Sequence, residues 1–131
     1  MARTRPCTAA LIEGRRRKAE QFLADAEAIR ELGADEAASG DSYVTLCTQA
    51  GIAAADVLCC RALGVHAQGD GHGDAVELLG SLRPDGHKHA KALATLLAMK
   101  TRAGYSDRPV TAEQRRRAGR AAHHLVDALG A

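Results

Sequence analysis

The sequence predicts an all-α protein, a single domain of 131 residues folded as an up-and-down four-helix bundle with an additional short helix. Three observations lead there. Alanine is the commonest residue, strand formers are few, and there is no Trp, no Asn and a single Phe, a composition that suits closely packed helices. The apolar residues recur at intervals of three and four, never two. Glycine and proline punctuation divides the chain into five such segments. The length is enough to bury a core without help from disulfides or metal.

The first helix runs from Thr8 to Leu32, with Ile12, Ala19, Phe22, Leu23, Ala26 and Ile29 on one face and Gly33 ending it. Arg15, Arg16, Arg17 and Lys18 sweep most of a turn, so they form no single binding face and are expected to make a solvated collar. After the linker GADEAASG, Asp41 is a good N-cap for a second helix reaching Leu63. That helix is apolar nearly all round, from Tyr43, Val44 and Cys47 to Val57, Leu58 and Cys60, and belongs at the centre of a bundle or against a second subunit. The few large side chains of one small bundle would cover it poorly, which predicts a homodimer.

The stretch GVHAQGDGHG reads as a loop; with no preceding strand and no GKS or GKT it is no phosphate cradle. A short helix from Asp74 to Leu82 follows, with Val76, Leu79 and Leu82 apolar, and RPDG then turns the chain. The fourth helix spans His87 to Gly104 with Leu93, Leu96 and Leu97 inward. SDRPVT connects to a fifth, Thr111 to Leu129, opened by a Thr111–Gln114 capping box and burying Ala118, Ala121, Ala122, Leu125 and Leu129.

Net charge is +2 and the charges are mixed along the chain, unlike a duplex-binding protein. Arginine outnumbers lysine 14 to 4, and with no Asn this fits a coding bias towards G and C, so arginine abundance alone signals no function. No apolar run approaches the roughly 20 residues of a membrane span, because Asp56 interrupts the longest. The basic N-terminus lacks an apolar signal region. Cys47, Cys59 and Cys60 lie in an apolar helix, where thiols behave as small core residues, and a bond between the adjacent Cys59 and Cys60 is not expected. The expected location is cytoplasmic.

Candidate chemistry centres on RALGVH, in which Arg61 precedes His66 by five places. Arg61 sits at a helix end opening into small residues, where a phosphate could approach. An arginine there would hold a scissile phosphate, and a histidine would exchange a proton with a ribose 2′-hydroxyl or a leaving oxygen, with no metal. Chance placement nevertheless supplies roughly two arginine–histidine pairs at such spacings. Arg83 with His89, Arg116 with His123, and Arg117 with His123 or His124 fit equally. Helix-end support by a cation favours a structural role for Arg61, its stem following the buried face.

Asp56, alone in its apolar helix and not on the face of Arg61, is expected to form a buried ion pair with an Arg or His from another helix or protomer. Lys100 and Tyr105 are second candidates, for anion or nucleotide contact. His87 with His89 and His123 with His124 lack the i, i+4 spacing of zinc helices, so no metal and no cofactor is expected. Ser39, Ser42, Ser81 and Ser106 fall at turns or caps and suggest no nucleophile.

The order of segments from Asp41 to Leu129, with GHGDAVELL entering the short helix, KTRAGYSD closing the fourth, and VTAEQRRRAGRAAHHLVDAL ending the chain, resembles the HEPN domain. KTRAGYSD is similar to that family's Arg-x-x-Ala-Asp-Tyr block, with Lys100 at the Arg position, Gly104 at the Asp position and Tyr105 at the Tyr. A closer likeness is to small stand-alone HEPN-like proteins of high-G+C bacteria with a Cys-Cys pair in the central helix. The resemblance implies dimerisation and one of three activities: metal-independent RNA cleavage by an Arg-x4-6-His motif, nucleotide binding beside a nucleotidyltransferase, or noncatalytic assembly or regulation. The expectation is a noncatalytic regulatory or assembly protein that binds a nucleotide or RNA. The alternative is a toxin-like ribonuclease using Arg61 and His66, with an antitoxin partner.

Overall fold

The computed structural model describes residues 2–33, 36–69 and 72–130. Among these residues five helices form a bundle: α1 (Ala9–Leu32), α2 (Glu36–Leu63), α3 (Gly73–Gly80), α4 (Gly86–Gly104) and α5 (Ala112–Asp127), the last running into a 3-10 turn at Ala128–Gly130. The Thr8 hydroxyl accepts from the Leu11 amide and starts α1, and the Gly33 amide donates to the Ile29 carbonyl and ends it. The expected capping box opens α5, with Thr111 and Gln114 each accepting from the other's backbone.

The second helix begins earlier than expected. Its N-terminal residues EAA are good helix formers, and with Ser39 and Gly40 they take up most of the expected linker, placing Ser39 and Ser42 inside the helix. Asp41 is therefore no N-cap; its Oδ1 accepts from the Val110 amide at 2.9 Å and ties α2 to the connector before α5.

α2 packs against all four other helices. Val44, Cys47, Ala50, Ala54 and Val57 are fully buried against Ala19 and Ala26 of α1, Leu93 and Leu96 of α4, and Ala118, Ala122 and Leu125 of α5. At Gly51 a methyl group would collide with Leu96, so glycine lets α2 and α4 approach closely. Contrary to expectation, Ala38–Leu63 is long and apolar enough to cross a membrane, with a mean hydropathy of 1.4. Within the bundle 72% of that window is buried, as befits a core helix, so one chain already covers the helix expected to need a second subunit.

Two further departures lie at the N-terminus. The chain is mostly helical, as the all-α expectation has it, but the loop at GVHAQ gives way to a small two-stranded antiparallel ribbon, β1 (Thr4–Pro6) with β2 (Val65–Ala67), pairing Arg5 with His66. Gly64, at φ 73°, turns the chain out of α2 into β2. The glycine-rich stretch thus does follow a strand. Beside the ribbon, Cys7 and Cys60 form a disulfide with Cα atoms 5.8 Å apart. Cys60 is therefore no core thiol, while Cys47 and Cys59 are free and buried. This bond takes away the ground on which the cysteines suggested a reducing compartment.

Candidate functional site

The two halves of RALGVH go to different partners. Arg61, in the last turn of α2, is exposed rather than following the buried face, and its Nη1 donates to the Leu129 carbonyl at 2.8 Å. That contact satisfies a carbonyl at the end of α5, one of the groups a helix terminus leaves without an internal partner. His66 is held in β2, half-buried, with Nδ1 3.1 Å from the Ala67 carbonyl. Since that oxygen only accepts, Nδ1 carries a proton. No hydrogen bond joins Arg61 to His66 among the described residues, and the expected open loop around His66 is a paired strand.

A second polar region lies along one face of α2. Thr45, Gln49, Ile52 and Asp56, at intervals of four, three and four, share that face. Towards its N-terminal end, Thr45, Thr48 and Gln49 join Lys100, Gly104 and Tyr105 around a cavity of about 160 Å³. Towards the other end, Ile52 and Asp56 join Arg15, His72 and Asp74 around a recess of about 60 Å³. Lys100 Nζ lies 3.2 Å from His72 Nε2, linking the two. An ammonium has only hydrogens to offer, so Nε2 accepts and the His72 proton is on Nδ1. Tyr105, just past α4, is 81% exposed and offers its ring to solvent beside Lys100.

Asp56 is 7% exposed and meets Arg15 Nη2 of α1 at 2.9 Å, within one chain as the ion-pair expectation allows. Arg15 is thus not part of a solvated collar, and Arg16 is engaged by Glu13 and Glu20. Burial pushes the Asp56 carboxyl above its ordinary range; Arg15, His66 and His72 each pull it back without cancelling that effect.

Arg15 and His72 are the members of this region that the sequence does not single out. The isolated carboxylate announced a partner, but nothing in the run Arg15–Lys18 distinguishes the one that reaches it. His72 carried one signal visible only in the backbone, a left-handed φ of 59° immediately before α3, a conformation costing a non-glycine residue of the order of 1 kcal/mol. Among the described residues no group of three or more His, Cys, Asp or Glu is placed to hold a metal. No family model, curated protein or solved structure matches the chain.

Proposed function

We propose that the protein is a HEPN-like helical module with a noncatalytic regulatory or assembly role, and that the cavity at the C-terminal end of α4 binds a nucleotide. The observation that carries this reading is the contrast between the two candidate pairs. Arg61 and His66 contact the Leu129 and Ala67 carbonyls with no hydrogen bond between them among the described residues, whereas Lys100 and Tyr105 border a cavity. Tyr105 supplies a stacking face for a base, worth about 1–3 kcal/mol in comparable contacts. Lys100 supplies a point charge for a phosphate, and Thr45 and Gln49 supply donors and acceptors for a sugar or base edge. A nucleotidyltransferase is the partner that such a module fits.

The test is calorimetric titration with ribonucleoside triphosphates, alongside incubation with single-stranded RNA in chelator. Nucleotide binding should weaken at least tenfold in Lys100→Ala and in Tyr105→Ala, with RNA left intact. Robust cleavage abolished by Arg61→Ala or His66→Ala, in variants that keep their helical spectrum, would replace this reading with the metal-independent ribonuclease.

A further inference from the structure

Charge is distributed far less evenly than the small net value suggests. Residues 86–131 carry nine Lys and Arg against three Asp and Glu, while residues 1–85 carry nine against thirteen. Much of that excess lines one feature, an open groove between α4 and α5. One wall carries Lys88, Lys91 and Thr95, and the other carries Arg117, Arg120 and His124. Both rows step by three and four along their helices, so each faces the groove over about 10 Å. The floor between them is small, Ala92 and Ala121, and admits close approach. At one end His89 Nδ1 meets His124 Nε2 at 2.9 Å, bringing the start of α4 to the end of α5.

The groove's cations are largely uncompensated. Lys88 and Lys91 make no ion pair with a described residue, and both are exposed. Arg117 makes no ion pair with a described residue, and Arg120 is 4.0 Å from Glu113 with both side chains well exposed. The cavity beside Tyr43 also contains several arginines, but there Arg30 is taken by Glu27 and Arg116 by Glu113. Four cations in two facing rows, with no acid lining the groove, form a trough of positive potential.

We propose that this groove binds the phosphodiester backbone of a single-stranded nucleic acid. Its length matches about three nucleotides at roughly 3.4 Å per stacked step. Small floor residues let the strand sit between the rows, where a phosphate meets cations from both helices. A flat acidic protein surface would reach only the outer tips of these side chains. The groove provides no Phe or Tyr ring and no built set of base-edge contacts, so recognition is of the backbone. It shares no residue with the cavity at Lys100 and Tyr105 and does not rest on nucleotide binding there.

Fluorescence anisotropy of a labelled 20-residue oligouridylate, titrated in chelator at 50–300 mM KCl, tests the proposal. Neutralising the three phosphates that the groove spans on a single strand predicts a slope of log affinity against log salt of about −2. The Lys91→Glu/Arg117→Glu variant should bind at least tenfold more weakly and with a shallower slope, its circular dichroism unchanged because both positions are exposed. Lys100→Ala should stay within twofold of the wild type, which separates this groove from the nucleotide cavity. Oligothymidylate should bind comparably. No binding by the wild type, full binding by the double variant, a flat salt dependence, or equal competition by polyglutamate would each overturn it.

Discussion

Asp56 is a carboxylate of α2 with 7% of its surface exposed, and its neighbours decide what that costs. Desolvation outweighs the attraction of Arg15, His66 and His72, so its carboxyl titrates above the ordinary range. A group whose folded pKa is raised contributes stability that is present below its unfolded value and is lost as pH rises through the folded one. The stability of the wild type relative to Asp56→Asn, from urea unfolding, should therefore decline from acid towards neutral pH. A difference that grows with pH would mean that ion pairing outweighs desolvation. Arg15→Ala strips the carboxylate of its 2.9 Å partner. Breaking a fully buried pair costs about 3–5 kcal/mol, and the 38% exposure of the Arg15 side chain lowers the expectation to about 2 kcal/mol. Most of that loss should return in Arg15→Ala/Asp56→Asn, where no buried charge is left behind. Only half of this pair is legible in the sequence. A lone carboxylate in an apolar helix demands a partner, but four consecutive cations point in every direction round α1, and only the packing of α1 on α2 selects Arg15.

At the scale of elements, local signals carried the helices and missed the ribbon. Thr111 with Gln114 fixes the start of α5, and Gly33 fixes the end of α1, because each motif satisfies its own helix terminus within a few residues. Asp41 misled for the same reason. Its side chain suits an N-cap, yet it is spent on the Val110 amide, 69 residues away. β1 and β2 are three residues each, too short to show an alternating period, and they pair across about sixty positions of chain. Cys7 and Cys60 meet only because that ribbon forms beside them. Their bond closes a span of 53 residues, for which chain-entropy reasoning gives about 4 kcal/mol as an upper figure. Burial pushes the Cys47 and Cys59 thiols up to about 12, so neither is a ready thiolate to exchange with that bond. Cys7→Ser should lower the thermal midpoint by several degrees, and dithiothreitol should lower the wild type to match while leaving Cys7→Ser where it was. An unchanged midpoint in Cys7→Ser would show that the ribbon is held without the disulfide.

For the whole molecule the governing quantity is how α2 is covered. Its composition suggests a helix too apolar for one small chain, and that expectation underlay the predicted homodimer. Yet α1, α4 and α5 supply mostly alanine and leucine, and small side chains let helices approach until even a short apolar surface is sealed. Ala53, Ala54, Ala55, Val57 and Cys59 are each no more than 2% exposed within a single chain. Composition reveals which helix is central, but coverage depends on interaxial distance, which alanines and Gly51 set and which no periodicity reports. The candidate cavities are legible only in part for the same reason. Lys100 and Tyr105 are visible in a motif, while the α4–α5 groove arises from two rows of cations 26 or more residues apart that look dispersed when read in order. A dimer of the kind the HEPN resemblance implies would then be an association of folded chains, not a condition of folding. Its consequence is thermodynamic. If two chains folded only together, a hundredfold dilution would cost about 2.7 kcal/mol and shift the midpoint by about 5 °C. The thermal midpoint should instead hold within about 1 °C between 1 and 100 µM, whatever mass light scattering reports at either concentration. A midpoint that falls on dilution would show that the core sealed around α2 is not sufficient and that a second subunit completes it.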